Sequence, residues 1–234
     1  MILKGSRILI TGGSLGIGKA TAKLLVDSGA QVAITGRDKT RLNKAAEETG
    51  AKPIVADVAR QEDIEYTYEQ FLGTFNGLDC LINNAGIRGR APLIEDLQLS
   101  DLLSVFEVNV FGAALMASRA AAVFKKQDYG NIVNIGSTSA LKADARSSVY
   151  SATKFALRAM TQAWQAELRK YNVRVIQINP SEVATAFGKD DRVERIPADN
   201  KLSSVEIAYA IKTALEMDDR GFIPELSVWA TNPW

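Results

Sequence analysis

Apolar residues recur along the chain in two ways, as short continuous runs and as longer stretches with apolar positions three or four residues apart. The short runs predict strands and the longer stretches predict amphipathic helices. Predicted strands cover residues 7–10, 31–35, 54–56, 78–82, 131–135, 173–178 and 223–229. Predicted helices cover residues 19–28, 100–126, 149–171 and 204–217. Because the two alternate, and the later strands are apolar on both faces, the pattern predicts an α/β fold with a doubly wound parallel sheet.

The alternation continues without a repeat or a Pro/Gly-rich linker over all 234 residues. We therefore expect a single domain over residues 1–234. The least regular stretch is residues 186–203, and an irregular loop of this length in a compact domain is often a functional lid. We expect it to be a short substrate loop.

Composition excludes several kinds of chemistry. Lys and Arg number 28 against 27 Asp and Glu, a formal net charge of +1, so nucleic acid is not an expected partner. With no histidine and the single cysteine Cys80, the chain cannot build a histidine zinc site, a Ser-His-Asp triad or an internal disulfide. The apolar stretch in residues 1–10 is too short for a signal peptide, and no run of about 18 apolar residues predicts a membrane span. We expect a cytoplasmic protein with no membrane partner.

A glycine-rich turn with the sequence TGGSLGIG occupies residues 11–18, between the first predicted strand and a helix. Glycines allow a positive φ and a close approach of the backbone to a ligand, while free N–H groups at a helix start attract phosphate. In the first strand–helix unit of a doubly wound sheet, this turn predicts a dinucleotide site. The same glycines would also suit an ordinary tight connection.

Further motifs follow the turn in a recognisable order. They are Asn83-Asn84-Ala85-Gly86 after the fourth strand, Asn109 in a long helix, Ser137, and Tyr150 with Lys154. Together they resemble the short-chain dehydrogenase/reductase family, including its 3-oxoacyl-(acyl-carrier-protein) reductase-like and hydroxy-acid dehydrogenase-like members. The resemblance implies a Rossmann fold with a seven-stranded parallel sheet and helices on both faces. It also implies hydride transfer between NAD(P)(H) and a carbonyl or secondary alcohol.

Tyr150 and Lys154 lie four residues apart on a predicted helix, so both side chains leave the same face. A nearby ammonium, together with the positive ring of oxidised nicotinamide, favours the phenolate, so we expect a lowered pKa for Tyr150 and a role as general acid and base. Ser137 would polarise the substrate oxygen, with Ser139 as a competitor. The resemblance makes Asn109 the holder of a water in a proton relay to the lysine. Other possibilities are a surface tyrosine and lysine, serines that only satisfy a strand end, and an asparagine that kinks or caps its helix.

The resemblance also implies a set of cofactor contacts from across the chain. They are Gly12, Ser14, Leu15, Gly16, Ile17, Gly18, Arg37, Asp57, Val58, Asn84, Ala85, Gly86, Tyr150, Lys154, Pro180, Val183 and Thr185. Asp57 could instead be the N-cap of the following helix. Ser181 stands where the family usually has glycine, which puts the backbone position there in question.

The second strand ends in Thr35-Gly36-Arg37. An NAD-specific enzyme usually presents an acidic residue here to the adenosine 2′-hydroxyl, whereas a 2′-phosphate needs an arginine and no acid. Gly36 occupies the acid's place and Arg37 can pair with a phosphate, so we expect NADP(H) to be preferred over NAD(H). Arg37 could instead pair with Asp38 or Glu47 on the surface.

The resemblance also bears on assembly and on the main alternative function. Two long alanine-rich helices match those with which family members associate, and Trp229 and Trp234 could add a second contact. We expect a homotetramer, with a homodimer as the alternative. A catalytically silent NADP(H)-sensing regulator on the same fold is the second functional hypothesis, and the intact set of catalytic residues argues against it.

Overall fold

In the computed structural model, which describes residues 1–189, 191–194 and 197–232, seven parallel strands form one sheet in the order β3-β2-β1-β4-β5-β6-β7. The strands are β1 (Arg7–Ile10), β2 (Gln31–Gly36), β3 (Lys52–Val55), β4 (Cys80–Asn83), β5 (Gly130–Ile135), β6 (Val173–Pro180) and β7 (Glu225–Val228). The helices are α1 (Gly16–Asp27), α2 (Lys39–Thr49), α3 (Gln61–Phe75), α4 (Leu99–Phe106), α5 (Ala113–Gln127), α6 (Ser148–Leu168) and α7 (Ser204–Glu216). The predicted single α/β domain with a doubly wound parallel sheet is confirmed.

Each face of the sheet is covered by helices, which explains why the central strands β4, β5 and β6 are buried along their whole length. In β1, Ile8 and Ile10 join a core cluster with Leu25 of α1. Leu9 points to the other face and packs in a second cluster with Phe71 of α3. All five side chains are fully buried, and each contributes about 1.5–3 kcal/mol relative to exposure.

The strand order reverses direction at β1. Its Ile10 pairs with Ile34 of β2 on one side and with Ile82 of β4 on the other. The connections after β1 and β4 therefore leave the sheet in different directions and open a crevice at its carboxyl edge. Doubly wound sheets bind their ligands in such a crevice.

Both edge strands differ from the predicted boundaries. β3 begins at Lys52 and contains Pro53, whereas the apolar pattern placed the strand at residues 54–56. β7 is Glu225–Val228, shorter than the predicted 223–229. A strand at a sheet edge tolerates proline and polar side chains because one side has no partner strand. Hydrophobic runs therefore locate the central strands better than the edges.

The long helix predicted at residues 100–126 is interrupted by a wide π-helical turn, Glu107–Gly112, between α4 and α5. By length and mean hydropathy alone, Leu99–Gln127 could cross a membrane, although the sequence pattern predicted no such span. Of its most apolar 18-residue window, 44% is buried inside the protein. Its residues Met116 and Phe124 pack on the sheet, so it is built as a core helix.

Candidate active site

The glycine-rich turn approaches neighbouring backbone so closely that side chains would not fit. Gly12 and Gly16 have φ values of +67° and +54°. A Cβ on Gly12 would lie 2.8 Å from Ala85 Cα, in the segment that follows β4. Five of the predicted contact residues in this turn line an open cleft at the switch point: Gly12, Ser14, Leu15, Gly16 and Ile17. The turn is therefore placed where the sequence predicts a dinucleotide.

Gly18 lies behind the residues that line the cleft. A Cβ on Gly18 would lie 2.4 Å from the carbonyl oxygen of Gly12 and 2.5 Å from Asn84 Nδ2. The first turn of α1 packs directly against the glycine-rich turn at this point. Gly18 thus supports the cleft from behind, and its direct contact with the cofactor stays a prediction.

Thr11 ties the turn after β1 to the segment after β4. Its Oγ1 accepts the backbone N–H groups of Asn84 and Ala85 at 3.1 and 3.0 Å. The Asn84 amide in turn donates to the carbonyl oxygens of Thr11 and Gly12, both at 2.9 Å. Sequence analysis did not single out Thr11. A polar residue at the end of a buried apolar strand was the available signal.

Ser137, Tyr150 and Lys154 meet in the same cleft. Lys154 is 5% exposed, its Nζ donates to the Ile135 carbonyl at 2.8 Å, and it lies 5.7 Å from the centre of the Tyr150 ring. Ser137 lies close enough to Tyr150 to influence the pKa of the phenol, and its Oγ accepts the backbone N–H of Ser139 at 3.1 Å. The structure therefore brings Ser137 to the tyrosine, whereas Ser139 supports Ser137 through its backbone.

Burial moves the pKa values of the two α6 residues in opposite directions. It lowers the pKa of Lys154 to about 8, because the buried ammonium loses its hydration. It raises the pKa of Tyr150 above its usual value, although the nearby Ser137 hydroxyl and the charge of Arg88 act to lower it. In the protein alone the tyrosine pKa is therefore not lowered, because desolvation outweighs the effects of Ser137 and Arg88.

Asn109 lies inside the π-helical turn and is 1% exposed. Its Oδ1 accepts the Ile87 N–H at 2.8 Å, and its Nδ2 donates to the Ile87 carbonyl at 2.9 Å and to Thr153 Oγ1 at 3.1 Å. A Cβ on Gly86 would lie 3.3 Å from Asn109 Oδ1 and 3.8 Å from Lys154 Nζ. Asn109 is thus set behind the cleft wall, close to the lysine, and it neither lines the cleft nor caps a helix.

The remaining predicted contacts come from four strand ends. Arg37, Asp57, Val58, Asn84, Ala85, Gly86, Pro180, Val183 and Thr185 all line the cleft. Ser181 lines it as well, and its φ lies outside the left-handed region. Serine therefore adopts this backbone without strain, and the departure from the usual glycine does not displace the strand end.

Arg37 is half exposed at the adenosine end of the cleft. Its Nη1 lies 3.5 Å from Asp57 Oδ2. Asp38 instead caps α2 through the Arg41 N–H at 2.9 Å and pairs with the Arg41 guanidinium at 3.0 Å. The surface pairing of Arg37 with Asp38 or Glu47 is therefore not the arrangement found.

The Asp57 carboxylate also accepts the Ala59 N–H at 3.0 Å, in the turn that precedes α3. The N-cap of α3 is Arg60, so the alternative of Asp57 as the N-cap is wrong. Asp57 keeps its carboxylate at the cleft.

Sequence analysis missed further residues at the cleft, among them Arg41, Phe187, Arg192 and Glu194. The Phe187 ring centre lies 5.8 Å from that of Tyr150. Glu194 Oε1 accepts the Gly16 N–H at 2.7 Å, so the start of α1 already holds an anionic group. With the glycine cradle and this anion-binding N–H, the residues present fit a dinucleotide diphosphate.

Comparison with known proteins agrees with the geometry. A family model described as short chain dehydrogenase matches residues 6–195. An uncharacterized oxidoreductase of Staphylococcus aureus (strain MRSA252) is 33% identical over 234 residues, covering 97% of this chain and 98% of that protein. One from Staphylococcus epidermidis (strain RP62A) is 31% identical over 223 residues, covering 94% and 95%. The chain belongs to the short-chain dehydrogenase family and is an oxidoreductase.

Solved structures are similar over the whole chain. A 3-ketoacyl-(acyl-carrier-protein) reductase from Brucella melitensis, complexed with NADH, gives a TM-score of 0.89 at 28% identity, covering 99% of this chain and 100% of that one. An alcohol dehydrogenase from the archaeon Thermococcus sibiricus, complexed with 5-hydroxy-NADP, gives 0.87 at 26% identity, covering 97% of each chain. Neighbours of this fold thus hold dinucleotides of both kinds.

Proposed function

We propose that the protein is an NADP(H)-dependent carbonyl reductase or alcohol dehydrogenase, in which Ser137, Tyr150, Lys154 and Asn109 serve a carbonyl or secondary alcohol substrate. One observation carries this proposal. The serine, the tyrosine and the buried lysine converge in the cleft that the glycine-rich turn also lines. A bound cofactor would supply or accept the hydride and, when oxidised, would place a positively charged ring in the cleft.

Tyr150 is the general acid and base in this proposal. Its raised pKa keeps the phenol protonated at neutral pH, so it can donate a proton to the substrate oxygen during reduction. In the oxidation direction it takes the proton of the alcohol. The Ser137 oxygen already accepts the Ser139 N–H, which leaves the serine hydroxyl free to donate to the same substrate oxygen.

Lys154 and Asn109 support the tyrosine. Below about pH 8 the Lys154 ammonium is charged, favours the phenolate and can hold the nicotinamide ribose hydroxyls. Asn109 Oδ1 and Lys154 Nζ both lie next to Gly86, at 3.3 and 3.8 Å from the position of a Cβ on that glycine. In this proposal Asn109 holds a water molecule that relays protons between Lys154 and solvent.

The adenosine end of the cleft supports NADP(H) over NAD(H). Gly36 presents no carboxylate there, and the guanidinium groups of Arg37 and Arg41 both line the cleft. A 2′-phosphate would pair with both cations.

Kinetics with both cofactors test this assignment. Removing one charged contact to phosphate costs roughly 1.5–3 kcal/mol, so we expect Arg37→Ala to lower kcat/KM for NADPH about 10- to 100-fold and to spare NADH. Arg60→Ala is the control, because Arg60 is an exposed arginine paired with Glu62. More efficient use of NADH by the wild type, or an unchanged preference in Arg37→Ala, would refute the assignment.

Arg88 favours a substrate with an anionic substituent. Its side chain is exposed and lies beside Gly188, and its charge acts to lower the pKa of Tyr150. Arg90, by contrast, is engaged by the buried Asp101 carboxylate at 3.2 Å. Paired keto acids and their methyl esters test the idea. We expect the acids to be preferred, and to lose that preference in Arg88→Gln.

The reaction itself is tested by NADPH oxidation, followed by absorbance, with a panel of β-keto esters, acyl thioesters, diketones and aldehydes, and by NADP⁺ reduction with hydroxy acids. We expect turnover of at least one class, abolished by Tyr150→Phe. Tyr66→Phe is the matched control, since Tyr66 is an exposed tyrosine on α3. Turnover that survives Tyr150→Phe would refute the proposed site. Tight NADPH binding without any turnover would favour the sensor hypothesis.

We also propose a homotetramer in the cytoplasm. Leu103, Phe111, Leu115 and Phe155 are large apolar side chains exposed on or next to the long helices. Such a patch is typical of an interface between subunits. Trp229 is 63% exposed, while Trp234 lies outside the described residues. Sedimentation that shows only monomer at micromolar concentration would refute the assembly, and cell fractionation tests the compartment.

A further inference from the structure

A carboxylate from the 186–203 segment lies at the start of α1. Glu194 Oε1 accepts the Gly16 N–H at 2.7 Å, and its Oε2 pairs with Lys19 Nζ at 3.2 Å. Gly16 is the first residue of α1, where backbone N–H groups have no partner within the helix and the helix dipole is positive. An anion is stabilised there, and Glu194 supplies one from the chain itself.

We propose that Glu194 competes with the cofactor diphosphate for this helix end, so that cofactor binding displaces Glu194 from Gly16. The inference rests on the dinucleotide site of the proposed function. The N–H that a diphosphate would use is the one that Glu194 occupies, and a carboxylate retained beside a diphosphate would add repulsion between like charges. The position of the segment is therefore linked to whether the cofactor site is filled.

The same segment reaches the catalytic end of the cleft. Phe187 packs beside the Tyr150 ring, and Gly188 lies against the Arg88 side chain. Glu194 thus anchors the segment at the diphosphate end, while Phe187 covers the tyrosine. Displacement of Glu194 releases one of the contacts that hold this cover in place.

Competition of this kind weakens apparent cofactor affinity, because only the fraction of molecules with Glu194 displaced can bind. The Glu194 side chain is 39% exposed, so solvent weakens its ion pair with Lys19. The hydrogen bond from the Gly16 N–H therefore contributes most of the energy that holds Glu194 at the helix end. We expect Glu194→Gln and Glu194→Ala to lower the dissociation constants of NADPH and NADH about three- to tenfold. The affinities for NADPH and NADH should rise equally, because both cofactors contain the diphosphate. Arg37→Ala, by contrast, should change the affinity for NADPH alone.

Asp199→Asn is the matched control, since it removes the same charge from an exposed position on the same segment. Binding is measured by calorimetry with NADPH, with NADH and with inorganic pyrophosphate, which carries only the competing group. A second measurement needs no cofactor. Trypsin should cleave after Lys189 and Arg192 faster in Glu194→Ala than in the wild type, and at the wild-type rate in Asp199→Asn.

The outcomes separate the two proposals. Unchanged or weaker affinity in both Glu194 variants, with normal binding by the wild type, overturns the competition and leaves the proposed function intact. Failure of the wild type and the variants alike to bind NADPH or NADH overturns both. If Asp199→Asn raised cofactor affinity as much as the Glu194 variants, the effect would come from the net charge of the segment. That result would also overturn the assignment to Glu194.

Discussion

Replacing Gly18 by alanine tests how the structure builds its dinucleotide site. The added Cβ would lie 2.4 Å from the Gly12 carbonyl oxygen and 2.5 Å from Asn84 Nδ2, whereas ordinary contacts begin at 3.4 Å. The glycine-rich turn and α1 would have to separate by about 1 Å. Because Asn84 ties this turn to the segment after β4, the displacement moves both sides of the cleft.

The magnitude follows from two opposing terms. Overpacking of this kind costs about 1–3 kcal/mol. Replacing a glycine within a helix by alanine stabilises the folded protein by about 0.5–1 kcal/mol. We expect Gly18→Ala to lower the free energy of unfolding by about 1–2 kcal/mol, and to weaken NADPH binding about tenfold, which corresponds to one lost charged hydrogen bond.

Gly73→Ala is the control for helix propensity. Gly73 lies in α3, and a Cβ there would meet nothing within 4 Å. This variant should raise the free energy of unfolding by about 0.5–1 kcal/mol and leave NADPH affinity unchanged. Urea unfolding and NADPH titration measure both variants. If Gly18→Ala were as stable as Gly73→Ala and bound NADPH like the wild type, the close packing at Gly18 would not be what shapes the turn.

Three further predictions concern the catalytic end. Reduction rates should fall as pH rises through about 8, because Lys154 loses its charge there while the raised pKa of Tyr150 keeps the phenol protonated. A pH–rate profile that stays flat to pH 10 would contradict this prediction. Asn109→Ala leaves the Ile87 N–H and carbonyl without their hydrogen-bond partners, so it should lower the free energy of unfolding, measured by urea denaturation, by roughly 2–4 kcal/mol. A loss under about 1 kcal/mol would show that other groups replace the Asn109 amide. Ser181→Gly should leave kcat/KM unchanged and cost about 0.4–1 kcal/mol of stability through added freedom of the unfolded chain, so a gain in activity would be evidence for strain at the serine.

Features set by local patterns were predictable from the sequence. The strands β1, β5 and β6 are rich in apolar residues, so the hydrophobic pattern located them. The glycine-rich turn and the four-residue spacing of Tyr150 and Lys154 are also local, because a turn and a helix face each involve neighbouring residues. The family resemblance predicted which side chains from distant strand ends belong to the site. The structure places one of them, Ser137, beside Tyr150.

Features set by contacts between distant segments were not predictable in this way. Asn109 bonds to Ile87, 22 residues away, and the π-helical turn that allows this leaves no mark in an apolar pattern. Glu194 is one of several acidic residues in an irregular segment, and only its place at Gly16, 178 residues away, distinguishes it. Burial likewise emerges only on folding, which is why the sequence predicted a lowered pKa for Tyr150 and the structure raises it.

The opposite effects of burial on Tyr150 and Lys154 define the protonation state of the site. Between neutral pH and about 8, the phenol of Tyr150 carries its proton and the Lys154 ammonium is still charged. A substrate oxygen in the cleft would therefore face two donors, the phenol and the Ser137 hydroxyl, with a positive charge behind them. This is the arrangement that stabilises negative charge developing on that oxygen. For the reverse reaction the phenol must first lose its proton, which burial opposes, so that direction depends on positive charge brought into the cleft from outside the chain.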